Sequence, residues 1–271
     1  MAEIFSPLFS FWWYNIKMSF LLYPFIFLFG LTIGSFLNSV IYRLEVKESA
    51  FKGRSYCPRC RHSLGWKDLI PLFSFLSLKG RCHYCQKPIS WQYPLVEITT
   101  GLLFVFLAHY SIYDLGLMIY WLAIACFLIV IFVYDLKHYI IPDKIIYPAI
   151  IIVFAYWLLG NLEMLLNPLI AALLASSFFL TIVLVSKGKW MGLGDVKLAF
   201  FMGLFLGWPN ILVALFLAFF FGAIIGIGLI AFSKKTLKSE VPFGPFLIIG
   251  TFVVLFFGEN LINWYLNLLL F

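Results

Sequence analysis

Eight apolar runs, parted by short hydrophilic breaks and one long one, constrain this chain more than any other feature. They read as helices at roughly 19–41, 95–112, 115–134, 145–159, 168–185, 191–208, 211–232 and 243–261 or beyond. A run of about 20 apolar residues matches the hydrocarbon thickness of a bilayer, and a helix satisfies its own backbone there. With 63% of 271 residues hydrophobic and 11% charged, against about a quarter charged in soluble domains, a soluble single-core protein is excluded. Disordered, collagen-like and secreted disulfide-framework chains fall at the same step. The expected fold class is an all-α polytopic membrane protein of about eight transmembrane helices.

The net charge of +7 informs through its placement. Residues 43–93 hold ten Lys and Arg, and the breaks containing Lys137 and Lys144, Lys187 to Lys197, and Lys234 to Lys238 fall on the same side after alternate crossings. That side then carries 18 of the 19 basic residues, while Glu3, Asp114, Glu163 and Glu259 face the other with Lys17. Basic loops stay in the cytoplasm, so both termini are expected outside. The basic excess thus orients the chain in a bilayer, and no nucleic-acid partner is expected. The first segment begins with Glu3, is too long for a signal peptide and lacks a small-residue cleavage site, so it is expected to remain as a helix.

Within the runs, Gly30 and Gly34, and Gly222 and Gly226, are four apart, a spacing that lets helix backbones approach closely. Asn38, with Ser35 and Ser39, lies in an otherwise apolar helix and needs partners inside the bundle. Interhelical glue and a functional role are equally open for it.

The long hydrophilic loop carries two C-x-x-C pairs, Cys57/Cys60 and Cys82/Cys85, with 21 residues between them. Thiolates two apart on a tight turn reach one tetrahedral Zn²⁺, and two such turns close a Cys₄ site. With all four positions filled by protein, the metal is structural, and His83 inside the second pair has no role as a ligand. A loop of this size cannot bury enough apolar surface to fold alone, so the metal has a physical purpose. A redox C-x-x-C would need a βαβ setting, and disulfides are disfavoured in a cytoplasmic loop. The expected element is a small zinc-ribbon-like loop between helices 1 and 2. Cys126, alone in an apolar helix, reads as a packed small hydrophobe.

Three aspartates stand at membrane edges on the cytoplasmic side: Asp135, Asp143 after Pro142, and Asp195 in Gly192-Leu-Gly194-Asp195-Val-Lys197. Ionisable groups at membrane depth are candidates for function because their burial is costly. A helix beginning only at Asp195 would be too short to cross before Pro209, so Asp195 is expected to be recessed. Gly192 and Gly194 permit the close approach this needs. Two carboxylates facing one water can hydrolyse an amide: the ionised one takes a proton from water while its protonated partner polarises the carbonyl, and the pair titrates as a unit. Asp135 and Asp195 are the natural pair, whereas Asp143 is placed to N-cap the helix that follows.

These residues resemble the type IV prepilin leader peptidases, membrane aspartic proteases with a Gly-x-Gly-Asp motif. The likeness runs through Gly34-Ser-Phe-Leu-Asn38 to Arg43, both cysteine pairs, Trp66 to Pro71, Pro88 to Ser90, Tyr93 to Glu97, Asp135, Ile141 to Asp143, Gly192 to Lys197, and Pro242 to Phe246. It implies that Asp135 and Asp195 are catalytic, supported by Gly192, Gly194, Lys197 and Asp143. The implied substrate is a prepilin or pseudopilin, cut at the cytoplasmic face of the bacterial inner membrane. It further implies N-methylation of the new terminus with S-adenosylmethionine as methyl donor, associated with the cysteine loop at Gly80 and Arg81. Glu45 departs from the family pattern, which often has proline there. The implied divisions are an N-terminal segment with the first helix, 1–42, a cytoplasmic Cys₄ loop, 43–94, and a seven-helix peptidase core, 95–271.

Other function classes fit less well. A peptidase without methyl transfer keeps the aspartates alone. A proton- or ion-coupled transporter would place carboxylates near the midplane of repeated halves, and the cysteine loop has no counterpart in the second half. A catalytically inactive assembly scaffold would tolerate loss of both aspartates.

Overall fold

The structure, a computed structural model, describes residues 6–49, 53–160, 162–231 and 241–269, with the side chains of 6–21, 230 and 269 left aside. Glu3, the Lys17 side chain and the basic stretch from Lys234 to Lys238 lie outside the described part. The helices are α1 (Ser6–Glu45), α2 (Phe73–Ser77), α3 (Gln92–Ser111), α4 (Leu115–His138), α5 (Asp143–Gly160), α6 (Leu166–Ser186), α7 (Leu193–Leu206), α8 (Asn210–Ala231) and α9 (Gly244–Leu269). Single 3₁₀ turns occupy Trp66–Leu69 and Leu162–Met164. No strand forms among the described residues, as expected for an all-α membrane protein.

Seven of these helices are long and apolar enough to cross a membrane. The eighth expected crossing, α7, has 14 residues, about 21 Å at 1.5 Å per residue, against a hydrocarbon core of about 30 Å. Gly192 caps its start, and its end is the Gly207 turn, where φ is +67°. Its side chains from Leu198 to Phe205 are largely buried because α5, α6 and α9 pack around it. A short apolar helix is thus stabilised by protein neighbours.

The chain divides into two compact units, Met1–Ile129 and Val130–Phe271. In the first, α1 and α3 run antiparallel in steps of four. Tyr23 meets His109 at 2.8 Å between Oη and Nδ1, Gly30 meets Gly101, Gly34 meets Glu97, and Asn38 Nδ2 donates to the Tyr93 carbonyl at 3.0 Å. A Cβ on Gly30 or Gly34 would lie 2.7 Å from the opposing Cα, so both glycines are there for close approach. Asn38, 1% exposed, also accepts from Gln92 Nε2 at 3.3 Å, and its hydrogen bonds are those of interhelical glue. The second glycine pair behaves differently. A Cβ on Gly222 would meet Phe243 and Phe246 only at ordinary contact distances, and one on Gly226 would meet nothing within 4 Å. Cys126 is half-buried in α4.

In the second unit, α6 packs on α7 and α8 on α9, with α7 also against α5 and α9. Gly203 lets α7 lie directly on the backbone of Ala171 and Ala172 in α6. The Trp157 indole N–H donates to the Leu204 carbonyl at 3.0 Å, tying α5 to α7. Asn167 holds the turn after α7 from both sides: its Oδ1 accepts from the Trp208 N–H at 2.7 Å, and its Nδ2 donates to the Trp208 carbonyl at 3.1 Å.

Candidate active site and cysteine cluster

Asp135 sits in the last turn of α4 and is 4% exposed. The backbone N–H of Gly244, the first residue of α9, donates to its carboxylate. A Cβ on Gly244 would stand 2.5 Å from Asp135 Oδ2, so only glycine lets that N–H come so near. Phe243, just before it, is wedged among Phe219 and Phe179, with ring centroids at 5.0 and 6.1 Å. This aromatic cluster seats the start of α9 against Asp135.

Asp195 is in the first turn of α7, where its Oδ2 accepts from the Gly192 N–H at 3.2 Å and its own N–H donates to the Gly192 carbonyl at 3.2 Å. Each carboxylate therefore faces a helix N-terminus, Asp195 that of α7 and Asp135 that of α9. Free N–H groups and the helix dipole favour an acid at such ends. The Asp135 charge acts on Asp195, so residues 60 apart in sequence share one electrostatic environment.

Ile141, 5% exposed, packs between the two supports. A Cβ on Gly194 would meet Ile141 Cβ at 3.1 Å, and one on Gly244 would meet Ile141 Cδ1 at 3.5 Å. The glycine at 194 thus lets the α7 start close onto the loop that follows Asp135. Gly192, by contrast, is exposed, and its backbone caps α7.

Asp143 is the first residue of α5, and its carboxylate is engaged by Lys197 Nζ at 2.6 Å. The N-cap expectation is corrected here: Pro142 supplies the preceding carbonyl, accepting from the Ile145 and Ile146 N–H groups at 3.0 and 3.1 Å. Lys197 also lies over the Tyr147 ring, 5.2 Å from its centroid. The pair is 58% exposed at Asp143 and 29% at Lys197, and it ties α5 to α7 near the site.

The sequence reading did not single out Gly244 or Ile141 as site residues. The signal for Gly244 was present in Pro242-Phe-Gly-Pro-Phe246, a glycine between prolines at a helix start. Ile141 was marked only by its place in Ile141-Pro-Asp143, which says nothing of what its side chain packs against.

In the first unit, the four sulfurs of Cys57, Cys60, Cys82 and Cys85 all lie within 4.8 Å of one another, with Cys57 and Cys85 Sγ 4.0 Å apart. A tetrahedral Zn²⁺ with Zn–S bonds of about 2.3 Å sets its sulfurs roughly 3.8 Å apart, so the donor set fits a metal. Two knuckles of the same design present them. Cys57 N–H donates to the His62 carbonyl and Arg61 N–H to the Cys57 carbonyl; Cys82 N–H donates to the Lys87 carbonyl and Gln86 N–H to the Cys82 carbonyl. Arg61 and Gln86 take the same positive φ, 57° and 55°, and each knuckle is closed by one bridge, Tyr56 to Ser63 and Arg81 to Pro88. Burial raises the Cys57 thiol, but the backbone N–H groups of Cys60 and Arg59 with neighbouring thiols outweigh it and bring it down to about 7. His83 is exposed. Gly80, at φ +68°, turns the chain into the second knuckle, with exposed Arg81 beside Cys82.

Two family models match in order: a bacterial peptidase A24 N-terminal domain over residues 28–111 and the type IV leader peptidase family over 122–227. The chain is 35% identical to a prepilin leader peptidase/N-methyltransferase of Aeromonas salmonicida, over 92% of this chain and 96% of that protein. It is 31% identical to one of Legionella pneumophila, over 89% and 93%, and 29% identical to one of Bacillus subtilis, over 90% and 98%. No solved structure matches. The paired aspartates and the cysteine cluster both fall within the matched segments, and the chain belongs to the type IV leader peptidase family.

Proposed function

We propose that the protein is a membrane aspartic endopeptidase that removes the short basic leader of type IV prepilins or pseudopilins and then N-methylates the new terminus. The observation that carries the peptidase reading is the electrostatic pairing of Asp135 with Asp195, each facing a helix N-terminus, with Ile141 packed against both Gly194 and Gly244. One carboxylate, ionised, removes a proton from water as the water oxygen bonds to the scissile carbonyl carbon. The carbonyl oxygen takes the proton of the other carboxylate to give a gem-diol; the C–N bond then breaks, the amine leaving with the proton returned by the first carboxyl while a hydroxyl proton of the gem-diol goes back to the second. Gly192, Gly194, Asp143 and Lys197 support the site by holding the α7 start.

The basic residues at 43–93 and in the alternate breaks support a topology with those segments in the cytoplasm and both termini outside. The natural division is then 1–42, the Cys₄ loop 43–94 and the peptidase core 95–271, with the inner membrane of a bacterium as its place. The four thiolates fit structural zinc. S-adenosylmethionine supplies the methyl group when bound, and the relatives' names together with Gly80 and Arg81 beside the cluster support placing that activity in the first unit.

The test is cleavage of a purified prepilin by the reconstituted protein. Asp135→Asn and Asp195→Asn are each expected to cost about 10²–10⁴-fold in rate; wild-type cleavage by both removes the assignment. Methyl transfer to cleaved pilin from labelled S-adenosylmethionine, retained in both variants, tests the second activity separately.

A further inference from the structure

The segment from Trp66 to Ser77 lies between the two knuckles, yet it is fastened to a membrane helix. The Leu72 N–H donates to Glu97 Oε2 at 2.8 Å. Glu97 is 7% exposed and lies five residues into α3, on the step where Gly34 lets α1 close over it. Helical side chains lean towards the N-terminus, so Leu72 is held level with the opening turns of α3. A 20-residue span is about as long as the hydrocarbon core is thick, and those turns therefore mark its boundary. Phe75 in α2 packs edge-on against Trp91 at 5.2 Å, a second tie at the same level.

What this segment turns outward is apolar. Trp66 is 73% exposed, Phe73 65% and Leu76 72%. Phe73 and Leu76 are three apart on one face of α2, and Trp66 and Leu69 are three apart on the 3₁₀ turn, where such residues eclipse. Lys67 Nζ sits 5.5 Å from the Trp66 ring centroid. Indole with a neighbouring cation is the pattern of the headgroup layer. Residues 43–93 carry ten basic against three acidic residues, a balance that suits an anionic lipid surface.

We propose that residues 66–77 form an interfacial hook, lying in the headgroup–acyl boundary with Phe73 and Leu76 among the acyl chains and Trp66 at headgroup level. Part of the cysteine loop is then embedded in lipid rather than in water. Glu97 fixes the depth of the hook through the Leu72 N–H, and the knuckles ride above it. The inference does not depend on the chemistry assigned to Asp135 and Asp195.

The test uses the full chain in nanodiscs containing anionic lipid, with an environment-sensitive fluorescent amino acid incorporated at position 73 or, separately, 76. Position 102, where Leu102 is 59% exposed on α3, serves as the lipid reference, and exposed position 87 as the water reference. Lipids brominated near the headgroup end of the acyl chain are expected to quench positions 73 and 76 at least half as strongly as position 102 and several-fold more than position 87. Iodide in the buffer is expected to spare them. Quenching by iodide equal to that at position 87 overturns the proposal. Protection from both quenchers also overturns it, because a protein surface would then be the cover. Two label positions keep one readable if the other disturbs folding.

Discussion

Gly244 presses its backbone against the carboxylate of Asp135 so closely that a Cβ at 244 would stand 2.5 Å from Oδ2. The contact brings the first N–H of α9 to a buried acid at the end of α4. It also makes a residue outside the Gly-x-Gly-Asp motif part of the site.

Gly244→Ala is therefore expected to displace Asp135 and lower kcat/KM for prepilin cleavage by about 100-fold or more, since misplacement by about 1 Å costs that much. Steady-state cleavage, with thermal unfolding as the control for folding, checks it. A rate within threefold of wild type contradicts the tight seat.

Gly194 and Ile141 are expected to couple. Gly194→Ala alone meets Ile141 Cβ at 3.1 Å, Cγ1 at 3.4 Å and Cδ1 at 3.5 Å and lowers the rate. Ile141→Ala in the same chain removes the last two contacts and restores part of it. A double-mutant cycle on kcat/KM reads the coupling, and strict additivity argues against direct packing.

Asp143 and Lys197 form an exposed pair, and exposed pairs contribute about 0–1 kcal/mol. Asp143→Asn is expected to shift unfolding stability by no more than that, with the difference shrinking further at high salt. Denaturant titration in detergent at two salt concentrations measures it.

The cysteine cluster is expected to hold about one equivalent of zinc in protein purified under reducing, chelator-free conditions. Cys57→Ser with Cys85→Ser, or prolonged chelation, is expected to open residues 53–90 to protease, because metal binding is the folding energy of so small an element. Metal analysis below about half an equivalent removes the zinc assignment.

Gly34→Leu is expected to force α1 from α3 at the Glu97 step, where even a Cβ would lie 2.7 Å from the opposing Cα. Overpacking of this kind costs about 1–3 kcal/mol, visible as a lower unfolding temperature of the purified protein.

The spans, the knuckles and the aspartate pair were legible in the sequence because each has a local mark: a run of apolar residues, a two-residue spacing of thiols, an acid where acids are costly. Gly30 and Gly34 were legible for the same reason, whereas Gly222 and Gly226 share the spacing and lack the close neighbour, since the pattern says nothing of which face meets another helix. Asp143 looked like a cap from its place after Pro142, and only the fold brings Lys197, 54 residues on, to its carboxylate. Gly244 against Asp135 and Leu72 against Glu97 are contacts between distant segments. No local periodicity encodes them. The shortness of α7 was visible as a tension between Asp195 and Pro209, and its resolution required the neighbours that enclose it.

The four-residue stepping of α1 on α3 has a further consequence. A seam that repeats every four residues is nearly self-similar, so a slip of one step would set Gly30 against Glu97 and still keep two backbones close. Glycine contacts alone do not choose between such alignments. The bonds at the two ends do: Tyr23 with His109, and Asn38 with the Tyr93 carbonyl, act as end-stops, and both would be lost together in any slipped register. Their role is selection of one alignment among near equals, and it is at those stops, rather than at the glycines, that a mutation should yield a folded but misaligned hairpin.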